Sequence, residues 1–293
     1  MIRVCLFGAA GQLGRELQRS CPADVALQAV TRDTVDLSQA TQIRDALEQG
    51  QPTIIINAGA YTAVDRAESE PELAYAVNAE APRIIAEWAR ARGARLLQVS
   101  TDFVFDGAQG RPYQPADKPA PLGVYGASKA AGEEHIRTIL GDTALILRTA
   151  WVYSEFGQNF VKTMLRLLDE RERLSVVGDQ IGSPTWARGL AGALWRAVAL
   201  PRFSGTQHWT DAGVASWYDF AVAIQEEGLR IGLLQREIPI QMIPSSAYPT
   251  PARRPACAVL DKSESYAALG AAPHWRIQLQ TMLADWQKGI KNG

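Results

Sequence analysis

The first fourteen residues constrain the fold most. Ile2 to Phe7 is a short apolar run with a β-branched start that closes on Gly8. Such a run reads as a buried strand. Gly8-Ala9-Ala10-Gly11-Gln12-Leu13-Gly14 follows, and Arg15-Glu16-Leu17-Gln18 after it has a helical pattern. A strand, a glycine-spaced loop and a helix together cradle a pyrophosphate. The first glycine permits the tight turn, the second lets backbone approach the anion, and the third lets helix and strand pack closely. A glycine loop is a weak mark in isolation. Placed directly after an N-terminal strand, Gly8, Gly11, Gln12, Leu13 and Gly14 point to a dinucleotide site.

The next segments extend this reading. Val25 to Val30 is the second strand, and a residue at its end meets the adenosine ribose. An acid there bonds the 2′-hydroxyl of NAD, whereas an arginine accommodates the 2′-phosphate of NADP. Thr31-Arg32-Asp33 leans towards NADPH and leaves NADH open, and Arg32 reads equally as a solvated loop cation. Asp36, beside Leu37, is within reach of the adenine edge. A helix is predicted over 38–48 with Ser38 as its N-cap. The strand 53–56 closes on Asn57-Ala58-Gly59-Ala60, small residues that let a flat cofactor lie against backbone, with Thr62 just beyond. A long helix is predicted over 71–92, with Asn78 inside it either exposed or bound to neighbouring backbone. The strand 95–99 ends in Ser100-Thr101-Asp102, hydroxyls at the strand edge where open α/β sheets bind ligands, or else simple turn residues.

Val124-Tyr125-Gly126-Ala127-Ser128-Lys129 opens another helix, after a proline-rich loop. Residues four apart share a helix face, so the Lys129 ammonium is expected to favour the Tyr125 phenolate and lower the phenol pKa. That pair is an acid/base suited to a carbonyl–alcohol interconversion. The strand 144–148 completes an alternation of strands and helices, which predicts a parallel, doubly wound α/β sheet. Beyond it the pattern loosens. Helices are expected over 159–171 and 217–227 and strands over 174–177, 206–210 and 238–242, and Gly182 to Thr185 turns into a further helix carrying Trp195. The chain divides softly into a dinucleotide-binding part, 1–149, and a smaller, interleaved C-terminal lobe, 150–293.

The 293 residues, 47% apolar and 21% charged, suffice for a sizeable core. A formal net charge of −1 gives no reason to expect a nucleic acid partner. No apolar run reaches the ~20 residues that span a bilayer, and the N-terminus lacks a signal-peptide pattern. Cys5, Cys21 and Cys257 make no Cys-x-x-Cys, which argues for a reducing cytoplasm and against a zinc knuckle. His135, His208 and His274 lie far apart and read as structural.

Glycine loop, Asn-Ala-Gly-Ala, Ser-Thr and Tyr-x-x-x-Lys occur in that order. Thr62-Ala63-Val64-Asp65-Arg66-Ala67-Glu68, Ser100 to Phe105, Arg148-Thr149-Ala150-Trp151-Val152-Tyr153 and Tyr248-Pro249-Thr250-Pro251-Ala252-Arg253-Arg254-Pro255 add longer marks. With these the whole chain resembles the extended short-chain dehydrogenase/reductase superfamily, and within it the dTDP-4-dehydrorhamnose reductase family. The resemblance implies a Rossmann-type sheet and a lobe that closes over a nucleotide sugar. It further implies NAD(P)H-dependent reduction of the C4 ketone of a dTDP-6-deoxyhexulose, dTDP-4-dehydro-L-rhamnose, to dTDP-L-rhamnose. Tyr125 would donate the proton, Lys129 bind the nicotinamide ribose, Thr101 hydrogen-bond the carbonyl oxygen, and Asp102 hold the sugar. Trp151 either walls the sugar or is core, and at least one of Arg253 and Arg254 is expected on the diphosphate.

Rival readings are another nucleotide-sugar reductase or epimerase, and an NAD(P)-binding regulatory subunit like that of methionine adenosyltransferase. A 4,6-dehydratase would need glutamate where Phe103 stands, and many members of the reductase family carry tyrosine there. Some members form a dimer around Mg²⁺ held by glutamates of both chains. Glu16 matches one such position, Arg188 stands at the second and Asp285 at the third. Magnesium needs hard anionic oxygens. The expectation is therefore no metal, Arg188 paired with Glu16 or solvated, and a monomer or a dimer without a metal bridge.

Overall fold

In the computed structural model, which describes residues 1–291, six parallel strands organise the chain. β1 (Ile2–Phe7) leads through the glycine loop into α1 (Gln12–Arg19), β2 (Val25–Val30), α2 (Ala40–Gly50) and β3 (Ile54–Asn57). A short α3 (Val64–Ala67) precedes α4 (Pro71–Tyr75), a π turn (Ala76–Glu80) and α5 (Ala81–Arg92). β4 (Arg95–Thr101), α6 (Val124–Leu140) and β5 (Leu145–Thr149) follow. Then come β6 (Val152–Tyr153), α7 (Phe160–Glu170), β7 (Leu174–Val177), β8 (Ile181–Gly182), β9 (Thr185–Trp186) and α8 (Ala187–Ala199). The chain continues with β10 (Gly205–His208), β11 (Ala215–Ser216), α9 (Trp217–Arg230), β12 (Ile240–Ile243), α10 (Ser263–Leu269) and α11 (Trp275–Lys291).

The main sheet has the order β10-β5-β4-β3-β1-β2, with every pairing parallel. The order reverses between β1 and β3, which opens a crevice at their carboxyl ends. Side chains alternate across the sheet, as strand geometry requires. Val4, Leu6, Ile56, Leu97 and Leu145 pack on the side of α1 and α8. Cys5, Phe7, Ile55, Leu96 and Ile146 pack on the side of α2 and α5. β10 and α8 come from the second half of the chain yet extend this sheet and cover its face. A third core joins α7, α9 and α11 through Leu165, Phe220 and Leu279. No helix among the described residues is long and apolar enough to cross a membrane.

Three local expectations are corrected. Ser38 does not cap α2: the helix starts at Ala40 behind Gln39, because the Ser38 hydroxyl donates to the Asp36 carboxylate at 2.9 Å. The predicted strand over 238–242 starts later, since the Gln225 carboxamide binds both the N–H and the carbonyl of Ile238. The long helix is interrupted. Pro82 has no N–H, so the Asn78 carbonyl loses its helical partner, and the preceding turn widens to a π turn. Asn78 is buried rather than exposed. Its carboxamide brackets the backbone of Tyr61, accepting from the N–H at 2.9 Å and donating to the carbonyl at 3.0 Å, and it also donates to Ser128 at 3.1 Å.

Candidate active site

A cleft of about 680 Å³ runs along the carboxyl ends of β1, β3, β4 and β5. The glycine loop forms one end of it. Gly8 has φ +79°, and a Cβ there would meet the Gly59 backbone, while a Cβ on Gly14 would run into the Gly8 carbonyl. Gly11 caps α1 with no side-chain bond, and the first turn carries no acid. Gln12 and Leu13 complete this end of the lining. Backbone N–H groups and the positive end of the helix therefore face the cleft, as a pyrophosphate requires. Arg32 is exposed at the lip and lines the cleft with Asp36 and Leu37. Hydrogen bonds from Ser38, helped by the Arg32 charge, hold the Asp36 carboxyl below its usual range. Ala58, Gly59, Ala60 and Thr62 line the cleft as well, and Leu37 lies so close to Gly59 that a Cβ there would collide with it.

Towards the other end β4 and α6 bring Thr101, Asp102, Tyr125 and Lys129 together. Thr101, 7% exposed, donates its hydroxyl to Asp102 Oδ1 at 3.0 Å and accepts from the Phe103 N–H at 3.2 Å. Asp102 Oδ2 is buried and has no hydrogen-bond partner among the described residues. Burial pushes the Asp102 carboxyl up to about 7. Lys129 donates to the Val99 carbonyl at 2.8 Å, and burial brings its ammonium down to about 8. The expected depression of the Tyr125 phenol is not found. Burial raises it to about 12, the Thr101 hydroxyl opposes that, and the Asp102 charge adds to it. Desolvation of the phenolate dominates, and one of the three Lys129 ammonium donors is directed to the Val99 carbonyl. The phenol is thus held in its protonated, donating form.

Several partners in this region were not foreseen. Burial alone would raise Glu133, one turn beyond Lys129, but Arg148 holds it low through bonds of 2.6 and 2.9 Å. Glu133 also accepts from Ser100 at 2.6 Å, which fixes the end of β4. Phe103 packs edge-on against Tyr125 at 5.5 Å. Trp151, at φ +47°, lines the cleft and stacks on Trp217 at 3.5 Å. One face of the ring is packed on Trp217, and the ring still borders the cleft. The Thr149 hydroxyl is a further lining group, buried without a hydrogen-bond partner among the described residues. Arg254 borders the cleft but pairs with Asp65 at 2.8 Å. Arg253 lines an adjoining crevice with Tyr125 and Phe103.

Behind the glycine loop, Glu16 is fully buried. Arg188 reaches Asp285 at 2.6 Å, Glu155 at 3.1 Å and Glu16 at 3.8 Å, while Arg19 reaches both Glu16 and Glu155. Burial and then Glu155 push Glu16 up, whereas hydrogen bonds and the Arg19 charge hold Glu155 down against its own burial. A guanidinium occupies the centre of these carboxyls, so they do not fit a divalent cation. Among the described residues no group of three or more His, Cys, Asp or Glu is arranged to hold a metal.

Comparison with known proteins agrees with this geometry. A family model described as the RmlD substrate binding domain matches residues 2–288. The chain is 38% identical to the dTDP-4-dehydrorhamnose reductase of Aggregatibacter actinomycetemcomitans, over 100% of this chain and 98% of that protein. It is 39% identical to the dTDP-4-dehydrorhamnose reductase of Escherichia coli K12, over 99% of this chain and 96% of that one. The crystal structure of dTDP-4-dehydrorhamnose reductase from Bacillus anthracis in complex with NADP superposes with a TM-score of 0.89. Its identity is 33%, over 97% of this chain and 100% of that one.

Proposed function

We propose the reaction from one premise: the chain belongs to the RmlD substrate binding domain family, within the extended short-chain dehydrogenases/reductases. It is an oxidoreductase acting on a nucleotide sugar, and it reduces the C4 ketone of dTDP-4-dehydro-L-rhamnose to give dTDP-L-rhamnose. The observation that carries this is the meeting of Thr101, Tyr125 and Lys129 in one cleft with an uncapped, glycine-lined helix end. NADPH, when bound, supplies the hydride. The glycine-loop backbone from Gly8 through Gly11, with Gly14 packed closely behind it, would hold the pyrophosphate, Arg32 the 2′-phosphate, and Lys129 the nicotinamide ribose.

The chain's own groups handle the oxygen and the proton. Thr101 turns its one hydroxyl proton from Asp102 to the ketone oxygen as negative charge grows there. Tyr125 passes its phenolic proton to that oxygen, and Lys129 stabilises the phenolate left behind. Asp102, released by Thr101, holds a sugar hydroxyl once its side chain turns the buried, unpaired oxygen into the cleft. Trp151, braced by Trp217, walls the ring. Positioning of this kind is worth several orders of magnitude in rate.

For assembly we propose a monomer or a dimer built without a metal bridge; the Arg188 contacts that join α1 to α11 within one chain support this reading. The cytoplasm is the proposed setting, because Cys5, Cys21 and Cys257 are all free thiols, which suits a reducing compartment. The deciding experiment follows NADPH and NADH oxidation by the purified protein with and without dTDP-4-dehydro-L-rhamnose. Substrate-dependent oxidation, faster with NADPH, is expected. Cofactor binding without turnover would refute the reaction and favour a regulatory role.

A further inference from the structure

The reaction leaves one run of the sequence unused, Val64-Asp65-Arg66-Ala67-Glu68. It forms α3 and its C-cap, and it makes two separate attachments. Glu68 accepts from the N–H of Val124 at 2.8 Å, at the first turn of α6 and one residue before Tyr125. A Cβ on Gly123 would collide with the same glutamate oxygen. Asp65 reaches in another direction, to the loop 249–255. Its Oδ1 accepts from Arg254 Nη1 at 3.1 Å and from the Ala252 N–H at 3.2 Å, and its Oδ2 accepts from Arg254 Nη2 at 2.8 Å. One short helix thus holds both the catalytic helix and the arginine loop.

These bonds separate the two adjacent arginines. Arg254 Nη1 also reaches the Thr250 hydroxyl at 2.5 Å and the Ala252 carbonyl at 3.0 Å. Its charge is matched by a carboxylate in a two-pronged pair, the strongest geometry open to a guanidinium. Arg253 is exposed and lines the crevice that Tyr125 and Phe103 share. Pro249, Pro251 and Pro255 stiffen the loop between them. Clamping Arg254 therefore fixes the direction in which Arg253 points, and α3 fixes that direction relative to Tyr125.

We infer that Asp65 is a positioning residue whose clamp on Arg254 makes Arg253 the arginine that reads the diphosphate of the nucleotide sugar. The inference rests on the proposed reaction for its ligand class. It opposes a direct alternative, in which the diphosphate takes Arg254 away from Asp65. The two differ in sign. If Arg254 were the diphosphate ligand, removing the Asp65 charge would free it and tighten binding. If Arg254 is the clamp, the same change loosens the loop and weakens binding.

The experiment titrates dTDP calorimetrically into the full chain saturated with NADP⁺. Arg253→Ala is expected to weaken dTDP by ~10–100-fold, the worth of a charge-assisted hydrogen bond. Asp65→Asn is expected to weaken it ~5–10-fold, and Arg254→Ala similarly. The double variant should be no worse than either single one, because both remove the same clamp. NADP⁺ affinity should stay within about twofold throughout, and in steady-state assays the Asp65→Asn effect should fall on substrate KM rather than kcat. Asp65→Asn protein that binds dTDP as tightly as wild type, or more tightly, overturns the proposal. If wild type binds dTDP but fails to reduce the ketosugar, the reaction falls while the Asp65 effect on dTDP still decides the clamp. If wild type binds no dTDP, the clamp falls as well.

Discussion

Replacing Asp102 with Asn removes an ionisable group and little else. The side chain is 2% exposed, one oxygen takes the Thr101 hydroxyl, and the other is buried without a partner. Burial raises this carboxyl from 3.8 to about 7. Between those values the folded protein keeps a proton that the unfolded chain releases. The stabilisation this provides is complete below the unfolded pKa and is lost as pH rises through the folded one. Each pH unit inside the window is worth ~1.4 kcal/mol, so the step from pH 5 to pH 7 removes at most roughly 3 kcal/mol. Relaxation and water entry reduce this, and ~1–3 kcal/mol is the expected range. Glu16 and Asp211, also raised to about 7 by burial, titrate in both proteins and cancel in the comparison. Any packing or hydrogen-bonding cost of the amide is present at both pH values and cancels too. Urea unfolding of cofactor-free wild type and Asp102→Asn at pH 5 and pH 8 gives the four stabilities needed. The variant should gain on wild type by ~1–3 kcal/mol between the two conditions. A difference that does not change with pH, or that moves the other way, refutes a protonated Asp102.

Three further outcomes are expected. Tyr125→Phe keeps the ring against Phe103 but removes the proton, so kcat should fall ~10²–10⁴-fold with NADPH affinity unchanged; near wild-type turnover would remove Tyr125 from the mechanism. Arg32→Ala should raise KM for NADPH by ~1.5–3 kcal/mol equivalent and leave NADH nearly untouched; equal effects would mark it as a plain loop cation. Mass in solution and activity should both be indifferent to EDTA, because Arg188 occupies the centre of the Glu16, Glu155 and Asp285 carboxyls; a mass that halves on chelation and recovers with Mg²⁺ would overturn that reading.

What the sequence made legible was local. β1, β2 and β7 carry their own apolar patterns, and their observed bounds match the predicted ones. The glycine loop works through its own backbone, and the Tyr125–Lys129 spacing sets a single helix face. Features that depend on distant partners were not legible. The π turn follows from Pro82, but the groups that use it, Tyr61 and Ser128, lie 17 and 50 residues from Asn78. The Trp217 stack on Trp151 and the Asp65–Arg254 pair join residues far apart in the chain. The Tyr125 pKa went the other way because the sequence shows neighbours along a helix but not how much water the fold removes. One of its signals was available: an acid directly after a strand-end threonine.

The placement of β10 has a consequence for how the protein is made. β5 emerges from the ribosome about sixty residues before the strand that pairs with its far edge, and α8, which covers one face of the sheet, also comes late. At ~5–20 residues per second, roughly 3–12 s pass with that edge open. An uncovered edge strand is a template for another nascent chain. Residues 1–149 therefore hold the nucleotide-binding pattern without being able to complete the sheet that displays it. The later half is required to finish the first core.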